Sequence, residues 1–484
     1  MSNAEFDLSA AARQEMIAEG FEPDFPPEVE RQVAALADRP APVADAAVRD
    51  LRQLPWSSID NDTSRDLDQI EAADRVNGGI RVLIGIADVD ADVEPASPID
   101  QHAAVETTSV YTGVRTFPML PERLSTDLTS LLEGADRMAV TIEFLVATDG
   151  TISAPAIYRA LVRNRAQLTY NAVGPWLEGT APAPAKVAGS ADLQAQLKMQ
   201  DEAAQALRDQ RHRLGALNFD RVETQPIMAG DKVQGIAAEQ QNRAGALIED
   251  FMIAANEVMA RTLMDAGVSS IRRVVKSPER WPRIVELAAQ HGERLPAQPD
   301  GVALSAFLEK RKAADPDHFA DLSLAVIKLM GPGEYVVARP GDPGPGHFGL
   351  AVQDYTHSTA PNRRFADLVT QRLIRAVLAK QPPPYADDAL ADIAHNCTIK
   401  EDAARKVERS MHKRIAAVAL APRVGESFPA VVTGVTPKGV FVRVFDPPVE
   451  GRLMRGEHGV DVGDRVTVTL LSTDPQRGFI DFGR

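Results

Sequence analysis

Four aspartates fall within nine positions of this chain, at Asp60, Asp62, Asp66 and Asp68. Carboxylates packed that closely repel one another, so a fold that gathers them must also supply a cation or shared protons. Asp66 and Asp68 are two apart, and on an extended segment two such side chains point to the same side. Hard oxygen donors suit Mg²⁺, with Mn²⁺ as the alternative, and Mg²⁺ typically keeps waters and binds substrate phosphate as well. Phosphodiester hydrolysis uses that arrangement, because bound metal activates a water and holds charge on the attacking and leaving oxygens. A polar surface loop, with or without calcium, also fits the spacing. The twelve-residue EF-hand pattern does not, since it needs a Gly at its sixth position and a Glu at its twelfth.

A second constellation runs from Tyr355 to Leu368 and leads a polar turn into a helix. Ser358 or Thr359 is expected to cap that helix, with Pro361 in its first turn. Arg363 and Arg364 near a helix N-terminus make a phosphate clamp. A salt-bridged helix start is the alternative reading of the same pair.

The chain has 484 residues, which suggests two to four domains. Residues 1–50 read as helical, with Ala12, Met16 and Ile17 on one face and Val29, Val33 and Leu36 on another. A small helical cap and a helix-turn-helix module both fit. From about residue 51 the pattern changes. Gly79–Ala87 reads as a buried strand, and Val140–Val146 alternates ahead of an Asp149-Gly150 turn signal. Residues 179–190 read as a loop, whereas 194–213, 244–266, 281–330, 365–380 and 386–418 read as helical. After Ala421-Pro422 short strands return at Phe428–Val435, Gly439–Phe445, Arg465–Leu471 and Gly478–Phe482, which suits a small OB-type barrel. The expected architecture is α+β, with a helical module over 1–50, a catalytic domain over 51–420 and a barrel over 421–484.

A net charge of −15 argues against a protein that coats nucleic acid non-specifically, although a local channel can carry the opposite sign. The single cysteine, Cys397, excludes an intramolecular disulfide and a cysteine-rich zinc site. The opening residues have neither a basic nor an apolar leader region, and no apolar run is long enough for a membrane helix. A cytoplasmic monomer without membrane attachment is expected.

Together the two constellations resemble the RNB catalytic domain of the ribonuclease II family. The family's first motif reads roughly T-I-D, a short turn, then R-D-L-D-D; here it is Ser58-Ile59-Asp60 and Arg65-Asp66-Leu67-Asp68-Gln69. Its late motif reads roughly Y-T-H-F-T-S-P-I-R-R-Y-x-D-L; here it is Tyr355 through Leu368. Between them, in the family's order, stand Ile86-Ala87-Asp88-Val89, Ser109-Val110-Tyr111, Phe117-Pro118-Met119-Leu120-Pro121, Ile248-Glu249-Asp250-Phe251-Met252 and Gly346-His347-Phe348-Gly349-Leu350. The C-terminal strands resemble the RNA-binding barrel that often ends these enzymes. The resemblance implies a processive 3′-to-5′ exoribonuclease that takes a single-stranded RNA 3′ end and releases nucleoside 5′-monophosphates. It implies that Asp60, Asp66, Asp68 and Gln69 hold Mg²⁺ and that Arg363 stabilises charge on the reacting phosphate, with Arg364 beside it. Tyr111 and Phe219 would stack on terminal bases, and Tyr170 and Glu249 would contact the last nucleotide, where reading the 2′-OH separates RNA from DNA. From the residues alone, Tyr111 beside Val110 also reads as a packing residue.

The chain departs from the pattern in four ways. Gln69 replaces an aspartate of the metal cluster, keeping an oxygen ligand but losing a charge. Asn362 replaces an apolar residue before Arg363, and Ala360 and Phe365 replace Ser and Tyr. Fifty helical residues leave no room for the two cold-shock barrels many relatives carry, so tolerance of structured RNA is expected. Two rivals remain at this stage: an RNB protein weakened in catalysis that regulates by binding RNA, favoured by Gln69, and a nucleic-acid-binding regulator acting through the N-terminal helices.

Overall fold

Long runs of β-branched and apolar residues between residues 57 and 163 make a sheet that is buried on both faces at its centre. A computed structural model of the chain describes residues 6–37, 42–43, 47–220, 223–229, 232–239, 241–316, 318–342, 344–437 and 439–484. Residues 1–5, 38–41 and 44–46 of the expected N-terminal helical module lie outside this set.

The sheet has seven strands, in the order Val48–Asp50, Ile152–Arg163, Asp136–Val146, Gly79–Ala87, Gln69–Val76, Ser57–Asp60 and Ala166–Thr169. The two outer pairings are parallel and the inner ones antiparallel. The sheet therefore begins at Val48, three residues ahead of the expected start of the catalytic region. Asp149-Gly150 closes the Asp136–Val146 and Ile152–Arg163 hairpin, as its turn chemistry predicts. Gly150 sits at φ +82°, and a Cβ there would collide with the Ala206 carbonyl of the helix packed beneath. Gly150→Ala is expected to destabilise the fold by about 1–3 kcal/mol, read as a lower urea midpoint at unchanged m-value.

The helices Ala191–Arg213 and Arg243–Asp265 pack against the sheet. Gln196 accepts from the Ala73 amide at 2.8 Å and donates to the Ala73 carbonyl at 2.5 Å, tying the first helix to a strand. Asp250, buried on the second, pairs with Arg208 and Arg211 of the first. Beyond them Trp281–Gln290, Gly301–Ala314 and Phe319–Met330 gather around their own apolar core. Residues 179–190, expected as a loop, contain the single helical turn Ala185–Ala188.

The N-terminal helices are Leu8–Ala18 and Pro27–Ala37. Val29, Val33 and Leu36 are buried as read, and they join the main core. The first helix buries Leu8, Ala12 and Met16, one turn apart, against Val110, Val407, Met411 and Ile415. Ile17, expected on that face, is 50% exposed, because the face follows the spacing of four from Leu8 rather than the adjacent pair. Each helix gives its apolar side to a different part of the molecule, so the two form a cap and share no core of their own.

The last long helix, Asp387–Leu420, ends in the core of a closed barrel through Ala416, Ala417 and Leu420. The barrel order is Ser427–Thr436, Gly439–Phe445, Pro448–Arg455, Phe479–Gly483 and Arg465–Asp474, the OB arrangement. Pro448–Arg455 was absent from the strands read in the sequence, where Asp446-Pro447-Pro448 dominates as a turn. Val449, Gly451 and Leu453 nevertheless alternate inward. No helix among the described residues is long and apolar enough to cross a membrane.

Candidate active site

The acidic segment leaves the strand Ser57–Asp60 and returns as the strand Gln69–Val76, and Leu67 fixes its course. Leu67 is fully buried. Its amide donates to Ser130 Oγ at 2.9 Å, and its carbonyl accepts from the Leu131 amide at 2.9 Å. Ser130 Oγ in turn donates to the Arg65 carbonyl at 2.7 Å. With Leu67 turned into the core, Asp66 and Asp68 share the opposite side, as their spacing predicts.

Asp68 is buried, and its Oδ1 accepts from the backbone amide of Asn362 at 3.1 Å and from Asn362 Nδ2 at 2.9 Å. Asn362 Oδ1 accepts from Thr129 Oγ1 at 2.6 Å, which fixes the orientation of the amide. In the sequence Asn362 reads only as a tolerable replacement, yet it holds the central carboxylate. Burial pushes the Asp68 carboxyl up to about 8, opposed by Arg363 and reinforced by Asp66. Burial also raises Asp66, again opposed by Arg363 and reinforced by Asp60. Arg363 Nε stands 3.8 Å from Asp68 Oδ2. Asp60 Oδ1 accepts from the Asn61 amide and from Ser64 Oγ, at 2.7 and 2.8 Å. Asp62, exposed, accepts from Asn171 Nδ2 instead.

Tyr111 reaches this cluster through a short ladder. The Ser109 amide donates to the Arg363 carbonyl at 3.0 Å, and the Phe365 amide donates to the Thr107 carbonyl at 2.8 Å. This sets Tyr111 beside Arg363, with its hydroxyl 3.4 Å from Asp66 Oδ2. Val110 is buried while Tyr111 remains 42% exposed, so the packing reading fits Val110 and not its neighbour. From the far side Glu408 of the last long helix accepts from the Tyr111 amide at 3.1 Å. Tyr170 opens the helix Tyr170–Leu177. Burial raises its hydroxyl, and the nearby Asp60 and Glu71 add to the rise.

The remaining expected residues are placed differently. Gln69 is buried and donates through Nε2 to the Ile59 carbonyl at 3.3 Å. Arg364 is committed to Asp367, with Nε and Nη2 at 2.8 and 2.7 Å from its two oxygens. The salt-bridged reading of the arginine pair thus describes Arg364, and the clamp reading is left to Arg363. The helix begins at Phe365, the start of the stretch read as helical, with Arg364 as its N-cap residue, so Pro361 lies ahead of its first turn. No side chain caps it; Asp367, in its first turn, instead accepts from the Ala360 amide and anchors the preceding turn. Glu249 is exposed on its helix, one turn beyond Gly245, where a Cβ would approach the Tyr170 ring. Phe219 packs at the rim of the three-helix core with Trp281 and Phe307, and no contact joins it to the aspartates among the described residues.

Behind Arg363 a cavity of about 200 Å³ is lined by Tyr111, Tyr335, His357, Arg363, Glu401 and Arg405. A larger cleft of about 880 Å³ lies away from the aspartates. Its Arg159, Arg372 and Arg375 are paired with Asp88 and Asp90. Tyr335 and His357 Nδ1 share a hydrogen bond of 2.7 Å, and Tyr355 packs edge-on between His357 and His347. Burial holds His357 well below its usual value and His347 down to about 4. The unfolded chain's histidines protonate near 6.5, so the stability that these neutral rings contribute is complete above that pH and is lost as pH falls through the folded values. Stability is expected to fall by roughly 3 kcal/mol for His347 alone between about pH 6.5 and 4. Urea midpoints across that range check this, and His347→Gln/His357→Gln should flatten the slope.

Among the described residues no three His, Cys, Asp or Glu side chains converge into a closed metal cage. Mg²⁺ does not need one: it is ordinarily held by one or two carboxylates, with waters and substrate phosphate completing the shell. Asp66 and Asp68 provide that pair, both all-oxygen donors and both raised by burial, so the donor chemistry fits a hard dication.

The arrangement can be set beside known proteins. A family model described as the RNB domain matches residues 48–380, and one described as the RNase II-type exonuclease C-terminal S1 domain matches residues 426–484. Ribonuclease R of Escherichia coli is 30% identical over 497 residues, covering 95% of this chain and 60% of that protein. Ribonuclease R 1 of Lactococcus lactis is 29% identical over 493 residues, covering 95% of this chain and 59% of that protein. The chain thus spans about 60% of the length of these relatives. The structure of Mycoplasma genitalium RNase R in complex with ribose methylated single-stranded RNA superposes with a TM-score of 0.88 at 22% identity, over 99% of this chain and 78% of that one. With the RNB match running through the whole sheet, the aspartate segment and the Arg363 turn, this chain belongs to the RNB-domain family.

Proposed function

We propose that this chain hydrolyses RNA from the 3′ end, releasing nucleoside 5′-monophosphates. One observation carries the reading: within an RNB fold, the half-buried Asp66 and the buried Asp68 carboxylates share a site with the Arg363 guanidinium and the exposed Tyr111 ring. Asp66 and Asp68, with Asp60 and the Gln69 carbonyl nearby, are the residues that would hold Mg²⁺ or Mn²⁺. Bound there, the cation supplies positive charge to the phosphate oxygens and a water of lowered pKa. Arg363 offsets the charge that grows on the phosphate as water adds to phosphorus and the bond to the preceding O3′ breaks. Asn362 keeps Asp68 turned toward that phosphate. Tyr111 stacks on a terminal base, which tolerates any sequence, and Tyr170 and Glu249 face the last ribose. The C-terminal barrel holds upstream single-stranded RNA, which favours repeated removal of nucleotides before release. Arg364 supports this site through Asp367 and does not touch RNA. Phe219 serves as a second stacking residue only if the three-helix unit moves toward Tyr111. A cytoplasmic location suits such an RNA-degrading enzyme.

The test is digestion of 5′-labelled poly(A) with Mg²⁺. Stepwise shortening with release of adenosine 5′-monophosphate is expected. Intact RNA binding without cleavage in Mg²⁺ or Mn²⁺ would replace this reading with that of an RNA-binding protein.

A further inference from the structure

The strand Gly439–Phe445 buries Val440, Val442 and Val444 in the barrel core, so Phe441, Arg443 and Phe445 leave its outer face. Across the ladder they meet Arg452, Glu450 and Pro448 of the strand Pro448–Arg455. These are the second and third strands of the barrel, the face with which OB folds take oligonucleotides. The side chains suit such a ligand, with aromatic rings for bases and guanidinium groups for phosphates. The face is unevenly open. Phe445 and Arg452 are exposed. Arg443, between them on the same surface, is not: its Nη2 pairs with Asp321 Oδ1 at 3.0 Å, and the two side chains are only 19% and 27% exposed. Val431, the other cross-strand neighbour of Arg443, is buried although it too leaves the outer face.

Asp321 does not belong to the barrel. It lies in the first turn of the helix Phe319–Met330, within the three-helix unit that carries Phe219 on its rim. Glu450, directly across the ladder from Arg443, accepts from Thr433 Oγ1 at 2.7 Å, so the carboxylate on Arg443 is brought from outside the barrel. A carboxylate and a phosphate offer an arginine the same kind of charged oxygen acceptor. A partly exposed ion pair adds little to stability, so this one is weak as a structural tie. It is well placed as a competitor, because it holds a cation of the nucleic-acid face in a chain whose net charge is −15.

We propose that Asp321 holds Arg443 at the position a phosphate of bound RNA takes, so that RNA crossing the barrel must displace the carboxylate. The inference rests on the reading of the barrel as the holder of upstream single-stranded RNA. It makes Arg443 a phosphate ligand and Asp321 an autoinhibitory group that lowers RNA affinity. The exchange of one anion for another also releases the three-helix unit from the barrel at this contact.

Binding of labelled oligo(A) to the full chain, followed by fluorescence anisotropy in EDTA, tests this without reference to activity. Asp321→Asn is expected to tighten binding by about three- to tenfold at low salt. The slope of log affinity against log salt should steepen by about 0.7, the share of one phosphate on a single strand. The variant should melt near the native temperature, since the pair is partly exposed. Arg443→Ala should weaken binding by a similar factor. Adding Asp321→Asn to Arg443→Ala should then bring no gain, because the gain acts through Arg443. An equal gain with and without Arg443 would overturn the proposal in favour of a diffuse charge effect. Unchanged or weaker binding by Asp321→Asn would overturn it in favour of a structural pair. Phe445→Ala reports on the barrel independently. Weaker binding by Phe445→Ala with native-like binding by the Asp321 and Arg443 variants would overturn the proposal and leave the barrel reading standing. Native-like binding by Phe445→Ala, Arg443→Ala and Arg452→Ala alike would overturn both.

Discussion

Asp68→Asn is expected to slow RNA hydrolysis by about a thousandfold or more while leaving RNA affinity within a few-fold of native. The change removes one formal charge and almost no volume. Asn362 can still donate to the remaining side-chain oxygen, so the loop keeps its shape. What is lost is half of the Asp66–Asp68 pair. Metal-assisted stabilisation of a reacting phosphate is worth several kcal/mol, and each 1.36 kcal/mol is a factor of ten in rate. On the proposed reading affinity survives, because Tyr111 and the barrel, which would hold the RNA, lie outside the change. Single-turnover digestion of 5′-labelled poly(A), together with a binding isotherm in Ca²⁺, separates the two quantities. An equal loss of binding and rate would show that Asp68 serves substrate binding and not the chemical step.

The second large effect lies one shell further from the chemistry. Asp367 is completely buried and accepts from the Ala360 amide at 2.8 Å and from both Nε and Nη2 of Arg364. Asp367→Ala leaves the Arg364 guanidinium buried without its partner, and breaking such a pair costs about 3–5 kcal/mol. The turn Ala360–Arg364 loses its anchor at the same time, so Arg363 should lose its position and the rate should fall even at temperatures where the protein is folded. Asp367→Leu combined with Arg364→Leu should cost less than Asp367→Ala alone, since apolar residues can replace a buried ion pair at little cost. Chemical denaturation of the three proteins measures this, and a double variant less stable than the single one would contradict it.

Periodicity revealed the long helices and the central strands, because each buries a continuous face. It failed where the burial pattern was short or the cap was supplied from a distance. Pro448–Arg455 was hidden by the Pro447-Pro448 pair at its start, and the expected Ser or Thr cap is absent because Asp367 anchors the preceding turn at the Ala360 amide. The acidic residues and Arg363 were legible as a motif. What holds them was not. Asn362 meets Asp68 across 294 positions of chain, and nothing in either local sequence announces the contact.

The ladder that joins residues 107–109 to residues 363–365 also sets a measure of length. On the proposed reading, the ladder ties the turn that carries the Arg363 guanidinium to the segment that runs, two residues on, into the Tyr111 base rest. The distance between them cannot stretch without breaking rungs.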